Sequence, residues 1–494
     1  MGAVLQRAAF SPNIRDRLDF SCAVFDAQGE LCAQAAHIPV HLGSMAYAMQ
    51  SIVNQLSWHK GDMVIVNDPF LGGTHLPDIT LIAPVYLQGK LLAFISNRAH
   101  HADIGADTPG SMPLSKSLDE EGLIIPPTHL IKKGKLDDTF MATILASIRS
   151  GKAAQGDFFA QISANHAGVE RLQSLMASLG ESTFLSALSE LNDYGERLAR
   201  SVINAIPDGE YKFSDVMDDD GLGNFDLTIA ASIVIKEHNV RVDFDGTHLQ
   251  TEGNINCPLS VAAAAVYYVF RCLMPEQTPA CAGSFRPVTI SAAEGCLLNA
   301  KRPAAVAAGN VETSTRIVDV VMGALAQALP DKIPAASHGS MNNLAMGYSG
   351  GSIEDNWDYY ETMGGGMGAS SEGDGLDAIQ THMTNTRNTP IEVMETSYPV
   401  RIKQYAIRKD SGGVGLHKGG DGLVREFEFL KPANVTLLTE RRLYPPWGLN
   451  NGIAGGCGQN LLNGKPLTPK VCLDVNQGDC LTIKTPGGGG WGKL

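Results

Sequence analysis

Two histidines and an aspartate, His75, Asp78 and His100, stand close together in VNDPFLGGTHLPDITLIAPVY (66–86) and FISNRAHHADIG (94–105). Two imidazoles and a carboxylate are donors that suit Zn, Mn or Fe, and a three-ligand set leaves positions open for water. The spacing follows neither H-E-x-x-H nor any Cys-based zinc pattern, so convergence has to come from the fold. Asp68 ends the preceding apolar run MVIVN and reaches toward the same rim. Asp103, three residues beyond His100, is placed to orient or deprotonate a bound water, and His101 points to the opposite strand face.

The element that must position the three is a β-hairpin. An apolar run from Ile79 to Leu87 meets a Gln88-Gly89-Lys90 turn, and a second run from Leu91 to Ile95 leads away. Reflection about Gly89 puts Asp78 opposite His100 to within one residue of register, where cross-strand Cβ atoms are about 5 Å apart. His75 lies three residues upstream, across Pro77, which stiffens the chain.

A chain of 494 residues suits two to four domains on a length prior, and 44% hydrophobic content supplies a sizeable core. The formal charge of −14 argues against nucleic acid or an anionic membrane as partner. Nine cysteines without a C-x-x-C pair read as reduced, mostly buried thiols of a cytoplasmic protein. No apolar run is long enough to span a membrane, and no signal pattern opens the chain.

The periodicities give an α+β fold, multi-layered, with mainly antiparallel sheets and helical insertions. Four segments follow: an N-terminal α+β part with the hairpin (1–137), a helical part (138–207), a central α+β part (208–390) and a β-rich C-terminal part (391–494). Within them, residues 19–33 read as a hairpin, 42–57 as a helix, and 106–137 as a long ordered loop. Residues 340–390 read as a Gly-rich stretch, and the later strands as 423–430, 434–439, 470–475 and 479–486.

Other constellations carry less chemistry. His37 and His41 have i, i+4 spacing, but Pro39 between them argues for two separate polar contacts. Asp218-Asp219-Asp220-Gly221 lacks the EF-hand pattern and reads as an acidic turn. Gly487 to Lys493 matches the start of a phosphate-binding loop, but Leu494 stands where Ser or Thr belongs. The 363–375 glycines have no preceding strand, and no Gly-x-Ser-x-Gly elbow is present. No credible ATP site is visible on this chain.

Longer motifs carry a family resemblance: SPNIRDRLDFSCAVFDAQGELCAQAAHIPVHLGSM (11–45), NDPFLGGTHLPDITLIAPV (67–85), SNRAHHADIGADTPGSMP (96–113), AGNVETSTRIVD (308–319), ASHGSMNN (336–343), HMTNTRNTPIEVME (382–395) and TPGGGGWG (485–492). With these the chain resembles the hydantoinase B family over nearly its whole length. The resemblance implies a divalent metal (Zn, Mn or Fe) on His75, Asp78 and His100. It also implies a hydantoinase A-like ATPase partner in a hetero-oligomer, with ATP and Mg on that partner. The implied activity is hydrolysis of a small cyclic amide (5-oxoproline, a hydantoin or another lactam), activated by phosphorylation and then attacked by metal-held water. An ATP-dependent ketone carboxylase subunit of the acetone or acetophenone type is the alternative. A scaffold that only docks the ATPase is a third reading.

Overall fold

A computed structural model describes residues 1–36, 38–149, 151–350 and 356–494. The helices are α1 (Gly2–Ala8), α2 (Pro12–Arg15), α3 (Pro39–Gln55), α4 (Asp138–Ala146), α5 (Gly151–Leu179), α6 (Glu181–Ile203), α7 (Leu259–Leu273), α8 (Ser314–Leu325) and α9 (Ile391–Ser397). Four open sheets carry the rest, and the class is α+β as the periodicities imply.

The first sheet consists of β1 (Phe20–Asp26), β2 (Leu31–Ala36), β3 (Met63–Val66), β4 (Asp78–Leu87), β5 (Lys90–His100), β6 (Thr128–Lys132) and β7 (Lys135–Leu136). Its order is β2-β1-β5-β4-β3-β6-β7, antiparallel throughout. Alternation along β4 sorts its side chains. Ile79, Leu81 and Ala83 pack with Phe158 and Ile162 of α5, while Ile82 and Phe94 pack with Met45, Met49 and Ile52 of α3. Asp78 shares the parity of Ile82 and therefore lies on the α3 side.

The turn between β4 and β5 is two residues, Gln88 and Gly89, both with positive φ (50° and 81°), which suits the right-handed twist of the flanking strands. Such a turn alone would pair Asp78 with Ala99. A bulge intervenes: Tyr86 pairs with Leu91 but Val85 with Ala93, which leaves Leu92 as the extra residue, and from there the ladder runs to Asp78 opposite His100. The sequence pattern counts Lys90 into the turn; the structure puts the extra residue inside β5 instead.

The second sheet is β8 (Gly209–Asp219), β9 (Phe225–Lys236), β10 (Asn239–Asp243) and β11 (Val288–Ser291), ordered β11-β10-β9-β8 with one parallel pair, β10 with β11. Its inner face forms one large core with α7 and α8, which Ile38, Val40 and Met112 join from the N-terminal segment. The third sheet, β12 (Asn343–Tyr348), β13 (Trp357–Glu361), β16 (Ala433–Leu438) and β19 (Lys470–Val475), runs β13-β12-β16-β19. The fourth, β14 (Val400–Arg408), β15 (Gly422–Phe429), β17 (Gln459–Leu462), β18 (Lys465–Pro466) and β20 (Cys480–Lys484), runs β14-β15-β20-β17-β18. These two sheets share one apolar core.

Several sequence expectations need correction. The 106–137 loop contains β6 and β7, because Met63–Ile65 pairs with Thr128–Ile131 and claims an alternating segment that reads weakly alone. The Gly-rich 340–390 stretch contains β12 and β13, with strand order imposed by the distant β16. Strand β14, with mostly exposed side chains, gives no apolar alternation and is absent from the sequence reading. Helix α3 begins at Pro39 rather than 42, since proline fits a first helical turn that needs no backbone donor. Of the 218–221 segment, Asp218 and Asp219 end β8, and the acidic turn begins at Asp220, whose Oδ1 accepts from Leu222 N and Asn224 N.

Candidate metal centre

His75, Asp78 and His100 offer ligand atoms that all lie within 4.8 Å of one another, and all three are buried. Asp78 Oδ1 is 3.2 Å from His75 Nε2 and 3.3 Å from His100 Nδ1. Ligands about 2.1 Å from a common ion stand roughly 3.0 to 3.4 Å apart, so these edges already have the right length.

The tautomer of His75 sharpens the point. Its Nδ1 lies 3.3 Å from the Ala307 carbonyl, which can only accept, so that nitrogen carries the proton. The Nε2 lone pair then faces the Asp78 oxygen, one acceptor against another, and no hydrogen bond satisfies it among the described residues. A shared cation, proton or metal, reconciles the pair. An N–H to a backbone carbonyl is also how metal-binding imidazoles are commonly oriented.

The other carboxylate oxygen is gripped separately. Thr74 Oγ1 donates to Asp78 Oδ2 at 2.6 Å, and His41 Nε2 is 3.2 Å from the same oxygen. His41 projects from the first turn of α3, and its Nδ1 is 3.1 Å from Ser21 Oγ on β1. His100 stacks on the Tyr360 ring of β13, centroids 4.5 Å apart.

Burial would raise the Asp78 carboxyl, but His75 and His41 outweigh it and hold it well below the usual carboxylate range. Burial would lower His75, yet Asp78 raises it overall. Burial wins at His100, which is lowered and held neutral. An ionised carboxylate beside a neutral imidazole is the donor chemistry a divalent cation needs.

These side chains line a small cavity with Asp19, Asn310, Met341, Tyr360, Thr362, Thr384 and Thr386, about 20 Å³ of room for the centre of a water-sized sphere. That is space for about one water or one ion.

The remaining sequence candidates lie elsewhere. Asp68 caps the short turn Pro69–Leu71 by accepting from Phe70 N, and it pairs with Arg302. His101 does point to the opposite face: its Nε2 is 2.9 Å from Gln161 Oε1 and its ring packs on Phe158 of α5. Asp103 accepts from Gly105 N, Ser111 Oγ and Arg149 N, which anchors the chain after β5. None of the three lines the cavity.

His41 does reach the centre, contrary to the expectation of two separate polar contacts; His37 lies outside the described residues. Helix N-termini that begin on proline were the available signal. Asn310, Tyr360 and the three threonines arrive from distant segments, and no local spacing announces them. The rejected phosphate loop is consistent with its structure. Gly488 N, Gly489 N and Gly490 N donate to the carbonyls of Gly420, Ala336 and Ile453, so these donors are already engaged.

The class these features define is an α+β protein with a buried two-histidine, one-carboxylate centre at a hairpin mouth. A family model described as Hydantoinase B/oxoprolinase matches residues 1–494, and the chain belongs to that family. The chain is 39% identical to 5-oxoprolinase 1 of Arabidopsis thaliana over 527 residues, covering 100% of this chain and 40% of that protein. It is 32% identical to a putative D-/L-hydantoinase subunit of Pseudomonas sp. (strain NS671), covering 100% and 87%. It thus spans about two fifths of the 5-oxoprolinase chain and most of the hydantoinase chain. The crystal structure of an ATP-dependent caprolactamase from Pseudomonas jessenii superposes with a TM-score of 0.93 at 28% identity, covering 99% of this chain and 88% of that one. A nucleotide-free acetone carboxylase structure shares the fold, at a TM-score of 0.88 and 17% identity, over 99% and 73%. No helix among the described residues is long and apolar enough to cross a membrane.

Proposed function

We propose that this chain is the metal-bearing subunit of an ATP-dependent cyclic-amide hydrolase, acting on 5-oxoproline, a hydantoin or another lactam. A hydantoinase A-like partner would hold ATP and activate the amide by phosphorylation. The observation that carries the reading is the convergence of ligand atoms of His75, Asp78 and His100 within 4.8 Å of one another, at a buried cavity of one-ion size. The names of the relatives, 5-oxoprolinase, hydantoinase and caprolactamase, supply the substrate class.

His75, Asp78 and His100 are the proposed ligands of one divalent ion. Bound there, such an ion supplies Lewis-acid activation of water near neutral pH. Thr74 and His41 fix the Asp78 carboxylate so that one oxygen stays turned toward both imidazoles. Tyr360 holds the His100 ring plane by stacking, and Ala307 fixes the His75 tautomer. Asp68 and Asp103 hold backbone N–H groups outside the cavity and His101 turns toward α5, so none of the three lines the proposed ion site.

The test is elemental analysis of the purified chain, followed by reconstitution with the partner on a panel of lactams, hydantoins and ketones. One ion per chain, lost in His75→Ala and His100→Ala together with lactam-dependent ATP hydrolysis, is the expected result. A metal-free chain that still supports turnover would sink the metal assignment. Turnover of a ketone only when bicarbonate is present would replace hydrolysis with carboxylation.

A further inference from the structure

Asn310 lines the metal cavity, is 3% exposed, and its Oδ1 is buried without a hydrogen-bond partner. Its side-chain amide donates no hydrogen bond among the described residues; only its backbone carbonyl is used, accepting from Ser314 Oγ at 2.7 Å. A carboxamide oxygen buried without a partner is costly and marks a place where a ligand completes the structure.

The backbone is shaped to put it there. Residues Gly309–Thr313 form a π-helical turn at the start of α8, a distortion that recurs at functional sites. Gly309 permits it: a Cβ at that position would sit 1.8 Å from the Asn256 carbonyl oxygen. The turn swings Asn310 and Val311 to the cavity, while Glu312 is tied back, its Oε1 accepting from Met341 N and Asn343 Nδ2.

We infer that Asn310 is the residue that reads the substrate, by pairing its carboxamide with the amide edge of the ring. The inference rests on the proposed function above and adds what selects the ring. A lactam or hydantoin is locked in the cis-amide form, so its N–H and C=O lie side by side on one edge. A carboxamide presents the complementary pair, C=O and N–H, in one plane. Two parallel hydrogen bonds result. A cyclic ketone of the same size offers only the acceptor, and an N-methylated lactam blocks the donor.

The ring has a way in. Thr386 lines both the metal cavity and a neighbouring cleft of about 990 Å³ bounded by Leu18, Gln380, Arg387 and Asn388. The partition includes a contact between Thr362 Oγ1 and Thr386 Oγ1, 2.6 Å apart. On this inference the ring comes from that cleft, and the one-ion cavity has to widen at Thr386 for the ring to reach Asn310.

The experiment uses the full chain loaded with Mn²⁺ and three near-isosteric probes: pyrrolidin-2-one, N-methylpyrrolidin-2-one and cyclopentanone. Paramagnetic relaxation of each probe's ring protons, followed by titration, gives its affinity at the metal. Pyrrolidin-2-one should bind about 10- to 100-fold more tightly than either analogue, the range expected for one unpaired buried group. In Asn310→Ala the preference should vanish, with Mn²⁺ content and melting temperature retained. Equal affinities in the wild type, no relaxation of any probe, or a preference that survives in Asn310→Ala overturns the inference. So does loss of Mn²⁺ in that variant, which would make Asn310 a metal-positioning residue. The wild-type series requires no substitution and decides the matter even if the variant misfolds. A wild-type chain that holds no Mn²⁺ through His75 and His100 is the separate failure of the proposed function.

Discussion

At the mouth of the β4–β5 hairpin one carboxylate faces three imidazoles, and His75 Nε2 and His100 Nε2 have no hydrogen-bond partner among the described residues. At the junction of β8, α8 and β19 the carboxylates meet cations instead. Glu440 lies between Arg316, at 3.2 Å, and Lys470; Lys470 also reaches Asp219 at 3.5 Å; Arg441 joins Asp215, at 2.7 Å, to Asp319. Both clusters are buried, yet in the second each carboxylate meets a lysine or an arginine, and in the first the carboxylate meets only imidazoles. Charge pairing inside the protein marks the junction as structural, tying the second sheet to the third. A carboxylate that converges with two imidazoles on a cavity of one-ion size marks the hairpin mouth as a place for a cation from outside.

The comparison breaks most visibly at Lys470. Lys470→Met strands Glu440, which is 0% exposed, beside the remaining cation. Removing one partner of a buried pair costs about 3–5 kcal/mol, and urea denaturation should show a loss of that size with metal affinity unchanged in the folded fraction. A variant as stable as the parent would mean that the junction is not a paired network.

The reverse experiment is His41→Ala. The imidazole holds the far oxygen of Asp78, so its loss should weaken Mn²⁺ or Zn²⁺ binding about 10- to 100-fold, as for other groups that orient a ligand. Isothermal titration measures it, with His101→Ala as the control that leaves affinity alone. Identical affinity in His41→Ala would remove α3 from the centre.

Glu312 lies between the two regions and sharpens the contrast through pH. Burial, reinforced by Glu440, pushes its carboxyl up from 4.5 to about 8. The folded state thus binds this proton more tightly than the unfolded state does. Its contribution to stability is fully present below pH 4.5 and is lost as pH rises through about 8. Across that window wild-type stability should fall relative to Glu312→Gln, by up to about 1.4 kcal/mol per pH unit for one proton. Parallel stability curves for the two proteins would show that Glu312 is ionised throughout.

Legibility in the sequence divides along the same line. The hairpin triad was readable because one turn and one alternation placed three residues, and the family motifs pointed to the same three. The α+β class and most of the helices followed from periodicity alone. Asn310, Tyr360 and Thr386 could not be read, since they meet His100 only after β13, the π-turn and the 382–389 segment close over the first sheet. Strands β12 and β13 were hidden for a related reason: Gly347 and the residues around it become a strand only because β16 pairs with them. The paired junction was equally silent, its partners drawn from 215 to 470 in the chain.

The smallest effect tests what holds the triad in register. Gly89 has φ +81°, and a Cβ there would meet nothing within 4 Å. Gly89→Ala should therefore cost only the left-handed backbone penalty, about 1 kcal/mol. A one-residue slip would turn Asp78 from the α3 side to the α5 side and bury it among Phe158 and Ile162. The buried faces of β4 and β5 oppose that slip far more strongly than the turn does, since Ile79, Leu81 and Ile82 are all fully buried. Metal affinity in Gly89→Ala should thus stay within about two-fold of the parent while the melting temperature drops by only about 1 °C, as about 1 kcal/mol implies for a chain of 494 residues. Loss of metal at unchanged fold would instead assign the register to the turn, and the triad would owe its geometry to two residues at the far end of the hairpin.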